Sequence, residues 1–244
     1  MSLVYVFAAS SMEGGPVRKI AVPSDSHSPA HCGTNDVVLI ICGMGPRNAR
    51  NKAESALNDT SNAFVRKPDA VLVIGLCGGL TASLSEGRIV AYTRCLSTEP
   101  TSPTLRCSET IIDSVVGLMK SSSIPCDRVV GIMSPRIATN RAERVALATS
   151  GAAVVDMESY SILEAASTAG VPAAVVRVVS DSIDRVLPNL NRALNDDGAL
   201  DGRKALRVAL GSPLRTAKLL AANKRAMQHL GKALEIVLKA SCFA

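Results

Sequence analysis

Seven short runs of Val, Ile, Leu and Ala recur along the chain, at 3–9, 36–45, 69–78, 88–96, 128–134, 152–158 and 173–181. Several, such as DAVLVIGLCG and AAVVRVVSD, are apolar almost without interruption. A strand with one face in water alternates apolar and polar residues, whereas a strand covered on both faces has no reason to. Helix-like stretches lie between the runs, at 46–58, 107–121, 140–149 and 159–169. The pattern predicts an α/β fold of three layers, with a mainly parallel sheet between helices. With 244 residues the chain is long enough for one such domain. Segments 16–33 and 97–104 read as loops or irregular edges. After Pro188 the sequence turns rich in Ala, Leu, Lys and Arg, which predicts a body over 1–188 and a helical, basic extension over 189–244.

Other classes fit poorly. The first fifteen residues lack a basic start and a long apolar stretch, so they read as a first strand rather than a signal peptide. No apolar run nears the roughly 20 residues of a membrane-spanning helix. The seven cysteines are odd in number and scattered, with no C-x-x-C pair, which suits reduced, buried thiols in a cytoplasmic protein. His27 and His31 are four apart, but Ser28 and Pro29 between them argue against a helix, and no third metal ligand is near. His229 reads as a surface residue. No nucleophile elbow and no P-loop is present.

The formal net charge of +6 is concentrated at the end: from Arg203 onward there are nine Lys/Arg against one acid, Glu235. A basic tail suits nucleic acid, an anionic membrane or neither. Six aromatic residues leave little for bases to stack on, so nucleic acid is the weakest of the three. An apolar stripe, Leu220, Met227, Leu230, Leu234 and Val237, recurs at helical spacing. Packing on its own domain is the favoured reading. An interfacial helix that reaches a lipid-tailed substrate is the sharper one.

Chemistry gathers in one unit. The runs 152–158 and 173–181 flank a helix closed by Gly170-Val171-Pro172, which makes a βαβ unit with parallel strands. Ligands of such sheets bind beyond the carboxyl ends of the strands. Asp156 and Glu158, two apart, should share a side of their strand while Met157 faces the other, with Ser159 capping the helix. Ser180 and Asp181 end the second strand. Arg177 interrupts VVRVV, where an unpaired guanidinium is prohibitive. It belongs either to a structural ion pair or to an active site, and so many polar groups at strand ends favour the latter. Met12-Glu13 puts another acid after the first strand. At ICGMGPRNAR a tight turn opens a helix near Pro46, so Gly45 and Arg47 are candidates for holding phosphate or another anion. Asn48 replaces the third glycine of a dinucleotide fingerprint, which disfavours a nicotinamide dehydrogenase.

Four ordered segments, SSMEGG (10–15), CGMG (42–45), GLCGGL (75–80) and the pair VVDMES and VVRVVSDSID (154–159 and 175–184), resemble the nucleoside phosphorylase/nucleosidase superfamily. The likeness is strongest to its methylthioadenosine/S-adenosylhomocysteine nucleosidase branch. It implies a single catalytic domain with a mixed sheet, no metal or organic cofactor, a homodimer and a small-molecule nucleoside substrate. Asp181 would then protonate the departing purine at N7, and Glu158 would hold the ribose hydroxyls with Met157 against the sugar. Glu13 would orient or deprotonate the attacking water, with Arg177 nearby. Gly78 and groups around Thr139 would line the base pocket, with Cys77 and Ser180 also at the substrate. Phosphorylases of the superfamily place Arg and Ser where this chain has Val73 and Leu76, so water is favoured over phosphate unless Arg47 substitutes. The Phe usual in the segment equivalent to 132–140 is absent. The run from Ser134 to Pro188 also resembles the subgroup associated with hopanoid lipid biosynthesis, thought to remove adenine from adenosylhopane. A phosphorylase and a nucleoside-binding protein without turnover remain the alternatives. Glu13, Glu158 and Asp181 together argue against the second.

Overall fold

The computed structural model describes residues 1–23, 29–58, 66–195 and 201–243. The first part of the chain forms β1 (Ser2–Ala8), α1 (Ser11–Ile20), β2 (Val22–Pro23), β3 (Ala30–Cys32), β4 (Asn35–Ile41), α2 (Pro46–Asn58) and β5 (Ala70–Gly79). The middle forms β6 (Ile89–Ser97), β7 (Leu105–Arg106), α3 (Glu109–Ser121), β8 (Cys126–Met133) and α4 (Arg141–Ala148). Then follow β9 (Val154–Asp156), α5 (Ser159–Thr168), β10 (Ala173–Asp181), a 3-10 turn (Leu190–Ala193), α6 (Gly202–Gly211) and α7 (Pro213–Lys239).

The sheet is mixed, with helices on both sides. Its long ladders are parallel: β4 on β1, β1 on β5, β5 on β10, and β6 on β8. Antiparallel pairs are short, such as β5 with β9 and β6 with β10. Because β10 pairs with both β5 and β6, the strands β10, β6, β8, β9 and β5 close into a ring. The near-continuous apolar runs are explained by burial on both faces; Ala70 through Ile74 and Ala174 through Val176 have almost no exposed surface. α2 packs with α5, while α7 packs on β10 and α1.

The sequence reading and the structure part at three places. Residues 11–20 form a helix where a strand end and loop were expected. Ser10 is its N-cap and its hydroxyl accepts from the Glu13 amide, the first half of an S-x-x-E capping box. Gly14, Gly15 and Pro16 obscure that helix by their poor propensity. Within 16–33 the chain also forms β2 and β3; His27 lies outside the described residues. His31 is exposed and pairs with Asp36 at 2.6 Å. Finally, β9 stops at Asp156, shorter than the strand expected over 152–158, and it runs antiparallel to β5 while β10 runs parallel to it, so the two are not the parallel strands of a βαβ unit.

The stripe on α7 packs on its own domain. Met227, Leu230, Leu234 and Val237 join the same core as the strands, and only Leu220 of the five is exposed. The Asn35 amide donates to the carbonyls of Leu238 and Ala240, both at 2.8 Å, and ties the helix end to β4. His229 is exposed, with Nδ1 2.9 Å from the Gly87 carbonyl. Six cysteines are buried, Cys126 is half-buried and all are free thiols. Among the described residues no helix is long and apolar enough to cross a membrane.

Candidate active site

The carboxyl ends of β5, β9 and β10 and the first turn of α1 meet around one cavity of about 700 Å³. Glu13, Asp156, Met157, Glu158, Ser180 and Asp181 all line it, as do Leu76, Cys77 and Gly78. Gly78 is the junction, paired with Val155 of β9 on one side and Asp181 of β10 on the other. The ladder slips between Val179 and Asp181, a bulge that re-aims the end of β10. A side chain at Gly78 would place its Cβ 3.1 Å from the Asp181 carboxylate.

Arg177 stands behind the cavity wall and is 1% exposed. Nη1 donates to the Leu76 carbonyl at 2.9 Å and Nε to the Ser159 hydroxyl at 3.1 Å. Nη2 lies 3.3 Å from both Asp156 and Glu158. The two readings of this residue therefore merge: it is a buried ion pair whose partners are the acids of the cavity.

Asp156 and Glu158 do not share the face of one strand. Glu158, not Ser159, is the N-cap of α5, and Asp156 Oδ1, at the end of β9, accepts from the Glu158 and Ser159 amides at 2.9 and 2.7 Å. Tyr92 donates to its other oxygen at 2.8 Å. The turn this makes brings Glu158 and Met157 to the cavity together. Glu158 Oε1 accepts from the Gly45 amide at 3.0 Å and Oε2 faces Arg177. Burial pushes the Glu158 carboxyl up to about 7 against the pull of Arg177, aided by Asp156 and Glu13.

Glu13 Oε1 accepts from the Leu76 amide at 2.8 Å. Burial raises its pKa above the usual carboxylate value, opposed by Arg177. The carboxylate fits because residue 75 is glycine. Its φ is +142°, and a Cβ there would sit 2.6 Å from Glu13 Oε1 and 3.0 Å from Arg177 Nη1.

Asp181 holds a surprise. One oxygen is 2.5 Å from the Ser180 hydroxyl, which also lies 3.2 Å from the Cys77 carbonyl, so its single proton serves one acceptor at a time. The other oxygen forms an ion pair with Arg144 of α4. Arg144 is 1% exposed, lines the cavity and donates to the carbonyls of Ala138, Gly79, Asp181 and Ser182. Nothing in RAERVALA distinguishes it from the exposed charges of an ordinary helix. Its only sequence signal is that Leu147 and Ala148 follow at i+3 and i+4.

Two expected positions lie elsewhere. Thr139 is not on the cavity wall: its amide donates to Glu143 at 2.6 Å and its carbonyl accepts from Leu187 at 2.8 Å, while Ile137 and Ala138 line the cavity instead. Arg47 is exposed on the first turn of α2 and is not a lining residue. The Gly45 amide, offered above as an anion donor, is taken by Glu158. Among the described residues no three His, Cys, Asp or Glu side chains are grouped to hold a metal.

A family model described as the phosphorylase superfamily matches residues 29–206. The chain belongs to the phosphorylase superfamily. No curated protein matches it. This superfamily member shares its fold with 5′-methylthioadenosine/S-adenosylhomocysteine nucleosidase from Neisseria meningitidis, solved in complex with methylthio-immucillin-A. The TM-score is 0.74 at 16% identity, over 98% of this chain and 99% of that one. A mutant of futalosine hydrolase from Helicobacter pylori gives 0.72 at 14% identity, covering 97% and 98%. S-adenosylhomocysteine nucleosidase from Streptococcus pyogenes, in complex with 5-methylthiotubericidin, gives 0.68 at 18%, covering 96% of both.

Proposed function

We propose that this superfamily member hydrolyses the N-glycosidic bond of a 5′-substituted adenosine and releases adenine. The observation that carries this reading is the gathering of Glu13, Glu158 and Asp181 on the wall of one cavity. The C1′–N9 bond breaks as its electron pair passes to the purine, and N7 takes the proton of Asp181 in its carboxylic-acid form. Solvent reprotonates Asp181, and the proton that Glu13 takes from water returns to solvent. Arg144 must first release Asp181, and the four carbonyls it already holds keep the guanidinium in place when it does. Glu158 accepts hydrogen bonds from the ribose hydroxyls and stabilises the oxocarbenium-like sugar. Glu13, made more basic by burial, takes the proton of the water that adds to C1′.

Water is favoured over phosphate by charge. Three carboxylates face the sugar, and the two arginines beside them, Arg177 and Arg144, are committed to internal carboxylates and carbonyls. Val73 and Leu76 supply no substitute. The cavity also has a long apolar side built from Met12, Met44, Leu187, Leu206, Leu219 and Leu220. That wall suits a large apolar group on the 5′ carbon, and adenosylhopane has this chemistry. Buried free thiols suit a reducing cytoplasm, and the family resemblance supports a homodimer, which sedimentation would test.

The deciding assay offers methylthioadenosine, adenosylhomocysteine, inosine, adenosine and a lipid-tailed adenosine, each with and without phosphate. Adenine release independent of phosphate is expected, greatest for the lipid-tailed nucleoside. Release only with phosphate would make the chain a phosphorylase, and no release from any substrate would sink the reading.

A further inference from the structure

α6 has no buried residue, although it carries two leucines, a valine and two alanines. A ten-residue helix is marginal on propensity alone. Leu206, Leu210, Leu214 and Leu220 on α6 and the start of α7 are 60%, 71%, 78% and 62% exposed. Among them, from Arg203 to Arg225, stand seven Lys/Arg and no acid. The acid that precedes them in the chain, Asp201, is occupied in capping α6, accepting from the Arg203 and Lys204 amides. A second cleft of about 490 Å³ opens beside these residues, with Arg192, Lys204 and Arg207 on its wall and no acid lining it among the described residues. Leu206 and Leu220, together with the half-exposed Met12, also line the catalytic cavity, so its apolar side opens on this face.

We propose that α6 and the first half of α7 dock on an anionic lipid bilayer, with the leucines in the interface and the lysines and arginines on the headgroups. A second copy of the chain fits this surface poorly, because a two-fold contact would set seven cations against seven. A bilayer bearing anionic lipid offers both missing halves, hydrocarbon for the leucines and negative charge for the cations. The cleft between Arg192, Lys204 and Arg207 suits a phosphate-bearing headgroup.

Vesicle flotation tests this without any turnover, so its failure would leave the reading of the catalytic cavity untouched. The intact protein is mixed with vesicles of phosphatidylcholine alone or of phosphatidylcholine with phosphatidylglycerol. It should float with the anionic vesicles, not the neutral ones, and be released as salt rises past the physiological range. Leu210→Ser/Leu214→Ser, at residues on neither cavity, should weaken binding by about tenfold or more while the melting temperature stays that of the parent. Arg207→Glu/Lys218→Glu should abolish flotation. Equal recovery on both vesicles, no recovery, or unchanged binding by the leucine variant would overturn the proposal. So would complete release by inorganic phosphate at constant ionic strength, which would mark a free-anion site. A dimer that the leucine substitutions dissociate, with no flotation, would mark a subunit interface instead.

Discussion

Replacing Arg144 by Met keeps an unbranched apolar stem and removes the guanidinium with its charge and all its donors. Asp181 Oδ2 is buried, and its partner among the described residues is Arg144. The variant therefore strands a carboxylate oxygen away from water and frees the carbonyls of Ala138, Gly79, Asp181 and Ser182. Breaking a buried ion pair from one side costs about 3–5 kcal/mol. For a chain of this size each kcal/mol lowers the melting temperature by roughly 2–4 °C, so a fall of at least about 6 °C is expected. Arg144→Lys should recover part of this, since an ammonium meets the charge but cannot span the same carbonyls. The informative measurement is a double-mutant cycle by urea unfolding. Asp181→Asn removes the stranded charge, so Arg144→Met/Asp181→Asn should be less destabilised than the two single changes predict, by about 1 kcal/mol or more. Additive losses, or an Arg144→Met protein as stable as its parent, would refute the ion pair as the element that holds Asp181.

Asp181→Asn alone should stay folded and lose about 10²-fold or more of its adenine release, because an amide cannot pass the proton; parental turnover would remove Asp181 from that role. Ribose binding needs Glu158 ionised, so kcat/KM should rise as pH is raised through about 7, and a profile flat across that range would contradict it. The sign for stability is opposite: a folded pKa of about 7 against 4.5 means the folded state holds the extra proton, so this group costs stability as pH climbs from 4.5 through 7. Gly75→Ala should cost about 1–3 kcal/mol of stability and most of the turnover, given the 2.6 Å approach to Glu13 and the φ of +142°; parental activity would show that Glu13 can move freely.

Much of this site could be read from local pattern. Apolar runs marked the strands, and Arg177 announced itself because VVRVV leaves a charge no exposed face. Glu158 and Asp181 were found because they follow apolar runs, although the parallel βαβ unit expected there does not form: β9 runs antiparallel to β5 and β10 parallel to it. What escaped depends on contacts distant in sequence. The closure of β10 onto both β5 and β6 is a matter of register between remote segments, which no local pattern carries. Arg144 looks like any helical arginine until α4 is folded over the end of β10. The helix bearing Glu13 was concealed by Gly14, Gly15 and Pro16, though its capping signature was present at Ser10. Leu220 was grouped with a stripe whose other members are core, and the leucines left bare on α6 were not distinguished from it.

The ring formed by β10, β6, β8, β9 and β5 has a further consequence. Further strands attach outside it, β1 on β5 and β7 on β6, and they widen the sheet without widening the ring, so added strands do not enlarge the reaction chamber. Capacity for a bulkier ligand has to be grafted on from outside. In this chain that addition is α6, which donates Ala205, Leu206 and Ala209 to the chamber while burying none of its own residues. Under the proposed function, the wall that meets the ligand's 5′ group then stands on a different element from Glu13, Glu158 and Asp181, so a change in α6 alters that wall without touching the acids.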